Sequence, residues 1–187
     1  MEKFKTFKSK VCPVNYSNVD TDMIIPAQYL TSTSKKGYGD NLFRRMRDEI
    51  KDFSLNLDKY KGAQILVADD NFGCGSSREH AVWALDGWGF KVVIAKSFSD
   101  IFFSNSAKNG LLLITLSEDV VDSILEKSSK EDLELTIDLK QQKVIFNEGS
   151  EHSFEYDAFR KHCLLEGLDD IDYILSSKDV INEFRKS

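Results

Sequence analysis

The middle of the chain alternates short apolar runs with segments of helical period. Ala63–Ala68 (AQILVA), Lys91–Ala95 (KVVIA) and Leu111–Thr115 (LLLIT) are continuous apolar runs of strand length. Between the first two, Ala81, Val82, Ala84, Leu85 and Trp88 recur at helical spacing and predict a helix over Ser77–Gly87. Between the last two, Ser99–Asn109 reads as a helix with Gly110 as its stop. Strands that lack an alternating polar face are covered on both sides, so the pattern predicts an α/β fold. Its sheet is mixed or parallel and flanked by helices.

The flanks are less regular. Thr6–Val14 predicts a strand that Pro13 either ends or confines to an edge. The stretch Thr31–Asp40 is small, polar and Gly-containing, and predicts a mobile loop near residues 30–41. Ser117 precedes a helix whose Glu118 and Asp119 suit its positive end. Leu133–Leu139 and Lys143–Asn147 predict a hairpin around Lys140-Gln141-Gln142. Asp157 caps a helix through Leu165 that Gly167 ends, and a charged helix near Asp179–Lys186 forms a fraying tail. No repeat divides the chain, so residues 1–187 are expected to form a single domain.

Composition removes several function classes. With 25 Lys+Arg against 31 Asp+Glu the net charge is -6, and no basic face is present to neutralise phosphates, so no nucleic-acid partner is expected. No apolar run approaches the ~20 residues that span a bilayer, which argues against a membrane role. The start, Met1 to Lys8, is too polar for a signal-peptide core. Cys12, Cys74 and Cys163 lie far apart with no Cys-x-x-Cys. Such sparse thiols predict a reducing, cytoplasmic location and no metal or iron–sulfur site built by this chain alone.

The segment Asp69-Asp70-Asn71-Phe72-Gly73-Cys74-Gly75-Ser76-Ser77-Arg78-Glu79-His80-Ala81 joins the first apolar run to the helix after it. Two glycines permit a sharp turn that brings N–H groups close to a ligand. The helix start adds unpaired N–H groups and a positive dipole end. Arg78 adds a planar cation that grips a carboxylate with two hydrogen bonds. Together these suit a small anion. The P-loop, nucleophile-elbow and dinucleotide patterns all fail here, the last because Arg78 stands at the third glycine.

A plainer reading stays open, in which Ser76 or Ser77 is a simple N-cap with Glu79 as its capping partner. Cys74 alone reads as an inert thiol. His80 reads as a hydrogen-bonded wall residue, His152 and His162 as structural or exposed, and Asp69 and Asp70 need no metal. Asn18-Val19-Asp20-Thr21-Asp22 imitates the start of a calcium loop, but Tyr29 stands where the bidentate glutamate belongs.

Gly73-Cys74-Gly75-Ser76-Ser77-Arg78-Glu79-His80-Ala81 closely resembles the signature of the swivelling C-terminal domain of the aconitase superfamily. Three further motifs match in order. They are Asn18 to Pro26, then Ser97-Phe98-Ser99-Asp100-Ile101-Phe102 with Asn105 to Gly110, and lastly Phe159 to Ile171. The resemblance covers nearly the whole chain and is closest to the free-standing small subunits of bacterial isopropylmalate dehydratases.

That resemblance implies a swivelling β/β/α domain that closes over a [4Fe–4S] cluster with one open iron, held by a large-subunit partner, with no cofactor on this chain. The implied reaction isomerises 2-isopropylmalate to 3-isopropylmalate through 2-isopropylmaleate, in leucine biosynthesis. By the same resemblance Ser76 is the base, acting as an alkoxide. Arg78 holds a substrate carboxylate, and Gly75 and Ser77 help to stabilise the anion. Thr21 and Asp22 fall on the family's Thr-Asp motif, with Asp22 in an orienting role beside the alternative of an Asx-turn residue. The loop after Tyr29-Leu30 sets substrate choice in the superfamily. Here it lacks the Arg that archaeal-type members carry after Tyr-Leu, so either Lys35 or Lys36 supplies positive charge or the loop is simply solvated. Related hydro-lyases acting on homocitrate, citramalate or dimethylmalate, and a non-catalytic anion-binding module, remain as alternatives.

Overall fold

The computed structural model describes residues 1–30 and 35–176. The helix expected near Asp179–Lys186 lies outside the described residues. The three apolar runs form adjacent parallel strands, β2 (Ile65–Ala68), β3 (Val92–Ala95) and β4 (Leu112–Thr115). The first strand, β1 (Phe7–Val14), pairs in parallel with β2 through its second half and antiparallel with β5 (Glu134–Asp138) through its first. The predicted hairpin is β5 with β6 (Lys143–Phe146), and a short strand that sequence patterning missed, β7 (Glu151–Ser153), extends it. The result is one seven-stranded mixed sheet in the order β4-β3-β2-β1-β5-β6-β7.

Pro13 therefore lies in an interior strand. It is tolerated because β5 pairs only with Phe7–Lys10, and the last bond on that side runs from Val11 N–H to Leu133 O. The Pro13 nitrogen, two residues further, faces the same side beyond the end of β5, where no donor is needed.

Alternate side chains of the parallel strands feed two separate cores. Leu66, Ala68 and Val93 pack with α1 (Thr21–Ile24), α2 (Arg44–Glu49), α3 (Glu79–Trp88) and α4 (Asp100–Asn109) on one face. Ile65, Val67, Val92 and Ile94 pack with α5 (Glu118–Lys130), the β5–β6 hairpin and α6 (Ala158–Glu166) on the other. A short helix, α7 (Asp170–Ser176), follows α6 and was not foreseen.

Helix ends follow the expected chemistry with two exceptions. Ser99 caps α4 by accepting from Phe102 N–H, Asp157 caps α6 by accepting from Arg160 N–H, and Gly110 and Gly167 end those helices in the left-handed region. Ser117 occupies the N-cap of α5 but makes no side-chain cap bond. The larger exception is α3, which starts at Glu79 rather than Ser77. Its N-cap residue is Arg78, with no side-chain cap bond, because Ser76 and Ser77 belong to the preceding turn. At its other end, Gly87 is retained inside α3. The chain at Gly39 packs so closely that a Cβ on Gly39 would sit 2.3 Å from the Gly87 carbonyl carbon. This contact also places Tyr38 and Gly39, read from the sequence as loop, in buried positions.

Candidate active site

β1, β2 and β3 run in parallel, and their C-terminal ends open into three segments that interlock. Such a crevice beyond the strand ends is where open α/β sheets bind ligands. The glycine-containing turn, residues 69–78, is held between the other two segments. On one side Gly73 N–H donates to Val19 O at 2.7 Å, Thr21 N–H to Cys74 O at 3.0 Å and Asn18 N–H to Asp70 O at 2.9 Å. The buried Thr21 adds its hydroxyl, donated to Ser76 O at 3.1 Å. On the other side Phe72 N–H donates to Ser97 O and Ser99 N–H to Phe72 O. Ser97 Oγ accepts from Asn71 N–H at 2.9 Å, and Ser99 Oγ donates to Gly73 O at 2.6 Å.

Both glycines are required. Gly73 has φ +77°, and a Cβ there would lie 2.2 Å from Phe102 Cγ. Gly75 has φ +87°, in the left-handed region that β-carbons disfavour. Asn18 and Asn71 also take left-handed backbone, at φ 54° and 57°, and are joined by an Nδ2–H···Oδ1 bond of 2.7 Å. Asparagine is among the few side chains that tolerate this region.

Arg78 and Asp22 meet across the two segments, with Nη1 to Oδ1 at 2.7 Å and side chains 25% and 44% exposed. The Arg78 hydrogen bond holds the Asp22 carboxyl below its usual range against partial desolvation. The Ala27 N–H bond and the charges of Arg78 and Arg45 lower it further. The Ala27 bond, 3.1 Å long, reaches five residues along the chain and is not the two-residue Asx contact of the plainer reading. Gly75, Ser76 and Ser77 stand exposed beside this pair. The arrangement offers an open serine hydroxyl next to an oriented, permanent cation whose planar fork suits a carboxylate.

Six of the eight candidate residues, Thr21, Asp22, Gly75, Ser76, Ser77 and Arg78, are thus brought together. Lys35 is held elsewhere. Its ammonium donates to Asn109 Oδ1 at 2.7 Å and lies over the Trp83 ring, while Lys36 is exposed on the same stretch. Burial, then the charge of Asp20, pushes the Cys74 thiol up, away from the thiolate form. His80 packs its ring edge-on against Tyr38 and Trp83. Asp69 pairs with Lys96 at 2.7 Å, and Asp70 accepts from Ser97 Oγ. The residues that imitate a calcium loop are committed to protein partners, with Asp20 capping Met23 N–H and Asp22 on Arg78. Among the described residues no group of three or more His, Cys, Asp or Glu side chains is placed to hold a metal ion.

Sequence reasoning gave no role to Ser97, Ser99, Asn18 or Asn71, which hold the turn. Each lies in or beside a motif noted above, but only the fold shows which backbone atoms their side chains reach.

Residues 1–119 match the model of the aconitase C-terminal domain family. Across all 187 residues the chain is 51% identical to the 3-isopropylmalate dehydratase small subunit of Francisella tularensis subsp. novicida, covering 98% of that protein. It is 51% identical over 187 residues to the protein of the same name from Acidobacterium capsulatum, covering 90% of it. Among solved structures it is similar to 3-isopropylmalate dehydratase from Methanocaldococcus jannaschii, with a TM-score of 0.71 and 28% identity. That match covers 96% of this chain and 99% of the other.

Proposed function

The chain belongs to the family of 3-isopropylmalate dehydratase small subunits, built on the aconitase C-terminal domain, and we propose that it supplies the base and a carboxylate anchor for the isomerisation of 2-isopropylmalate to 3-isopropylmalate, a step of leucine biosynthesis. The observation that carries this reading is the Asp22–Arg78 pair beside the exposed Ser76 on a turn fixed from both sides.

In the forward half-reaction, Ser76 Oγ takes a C–H proton alpha to a carboxylate and hydroxide leaves, giving 2-isopropylmaleate. In the second half-reaction hydroxide adds back to the carbon that lost the proton, and Ser76 delivers its proton to the carbon that first bore the hydroxyl, giving 3-isopropylmalate. A serine hydroxyl is a feeble base at neutral pH, so it must act as an alkoxide. The Arg78 cation, the turn N–H groups near Gly75 and Ser77, and the start of α3 all favour negative charge at that spot. Arg78 grips one substrate carboxylate while Asp22 fixes the orientation of its guanidinium.

The donor set of this chain does not fit an iron–sulfur cluster, since Cys12 and Cys163 are buried and distant in sequence from Cys74. The cluster is therefore assigned to a large-subunit partner, where it would supply Lewis-acid assistance to departure of the substrate hydroxyl. No helix among the described residues is long and apolar enough to cross a membrane, and a cytoplasmic location accords with cysteines that form no disulfide.

Ser76→Ala tests the assignment. In complex with the large subunit it is expected to lower kcat by about 10³-fold, within the span of a lost acid–base group, with partner affinity unchanged. Wild-type kcat in that variant would remove Ser76 from the mechanism. Citramalate and homocitrate run in parallel show which hydroxy acid the assembled site takes.

A further inference from the structure

The first residue of α3 carries a carboxylate at the edge of the turn. Ser76-Ser77-Arg78-Glu79 has the spacing of a capping box, in which the glutamate folds back onto the N–H of the serine three residues before it. With Arg78 rather than Ser76 at the N-cap of α3 that contact is not made, and an unheld Glu79 carboxylate would instead compete with the substrate carboxylate for the neighbouring Arg78 guanidinium. The structure holds Glu79 elsewhere, with Oε1 accepting from Asn109 Nδ2 at 2.8 Å.

Asn109 is the last residue of α4, and its amide is used in full. Nδ2 also donates to Asn105 O at 2.9 Å. Oδ1 accepts from Trp83 Nε1 at 3.0 Å and from Lys35 Nζ at 2.7 Å. An indole N–H and an ammonium are donors only, so the amide oxygen must face them. The amino group is thereby aimed at Glu79.

We propose that Asn109 is a positioning residue of the substrate site. It holds the Glu79 carboxylate away from the Arg78 guanidinium, and so keeps the turn open to an incoming carboxylate. The proposal deepens the dehydratase reading and rests on it for the identity of that anion.

Two readouts test it. In the complex with the large subunit, Asn109→Leu raises KM for 2-isopropylmalate about fivefold, the scale of one competing exposed ion pair, while kcat stays within about twofold. Glu79→Gln alone leaves KM within about twofold of wild type. Added to Asn109→Leu, it brings KM back, since a neutral amide does not compete for Arg78. In the full chain alone, the backbone amide resonances of Ser76 and Ser77 and the Arg78 Nε resonance move in Asn109→Leu and return in the double variant. Asn109→Asp keeps both acceptor contacts and repels Glu79, so it gives the same pattern if the leucine variant does not fold.

A double variant that keeps the KM and resonances of Asn109→Leu overturns the proposal, because Asn109 would then only join two helices. Wild-type KM and resonances in Asn109→Leu overturn it as well. A wild-type complex that leaves 2-isopropylmalate untouched sinks the dehydratase reading, and the resonances still decide the role of Asn109.

Discussion

Arg78 has two claims on its guanidinium, the Asp22 carboxylate at 2.7 Å and the substrate carboxylate proposed above. Its rigid fork serves both at once, which a lysine ammonium does not. Arg78→Lys is therefore expected to reduce kcat/KM about 100-fold despite keeping the charge, measured on the assembled enzyme. Asp22 carries a pH signature. Its carboxyl is depressed from an ordinary 3.8, so its contribution to folding is complete above that value. The contribution is lost as the pH falls through the lowered native value. The side chain is 44% exposed, which limits the effect to about 1 kcal/mol at most. Urea midpoints of wild type and Asp22→Asn should differ at pH 7 and converge below pH 3.8. That Ser76, Arg78 and Asp22 gather at one place was legible because their motifs resemble a known family. The place of Lys35 was not legible, because charge in a sequence does not say where a long side chain docks, and Asn109 at the end of α4 accepts from it.

The elements on either side of the turn explain why its neighbours were partly illegible. The start of α3 was misplaced because Ser76 and Ser77 look like caps, while Thr21, Val19 and Ser99 pull the turn into a different path. Tertiary hydrogen bonds here outweigh a local preference worth about 1 kcal/mol. Gly87 gives a test with opposed signs. Helix propensity alone predicts that Gly87→Ala gains up to about 1 kcal/mol. A Cβ at that position would lie 2.9 Å from the Gly39 nitrogen, so the fold predicts a loss of about 1–3 kcal/mol, read from the urea midpoint. Gly73→Ala should lose more, since it adds a backbone penalty at φ +77° to overlap with the Phe102 ring.

At the scale of the whole molecule, the apolar runs were enough to predict a mixed or parallel sheet covered on both faces, because period and burial are coupled. The pairing of β1 with β5, the short β7 and the interior place of Pro13 were not predictable, since register between distant strands leaves no local mark. The site gathers beyond the C-terminal ends of β1, β2 and β3 and stays open, with Gly75, Ser76 and Ser77 exposed. An exposed serine, the base proposed above, cannot exclude water or activate a hydroxide leaving group by itself, which accords with turnover that requires the large subunit. The most direct test is anaerobic reconstitution of the two chains, following the ultraviolet absorbance of the unsaturated intermediate formed from 2-isopropylmalate. The account predicts signal only when both chains are present. Turnover by this chain alone, or a stable cluster-loaded complex inert toward 2-isopropylmalate, would contradict it.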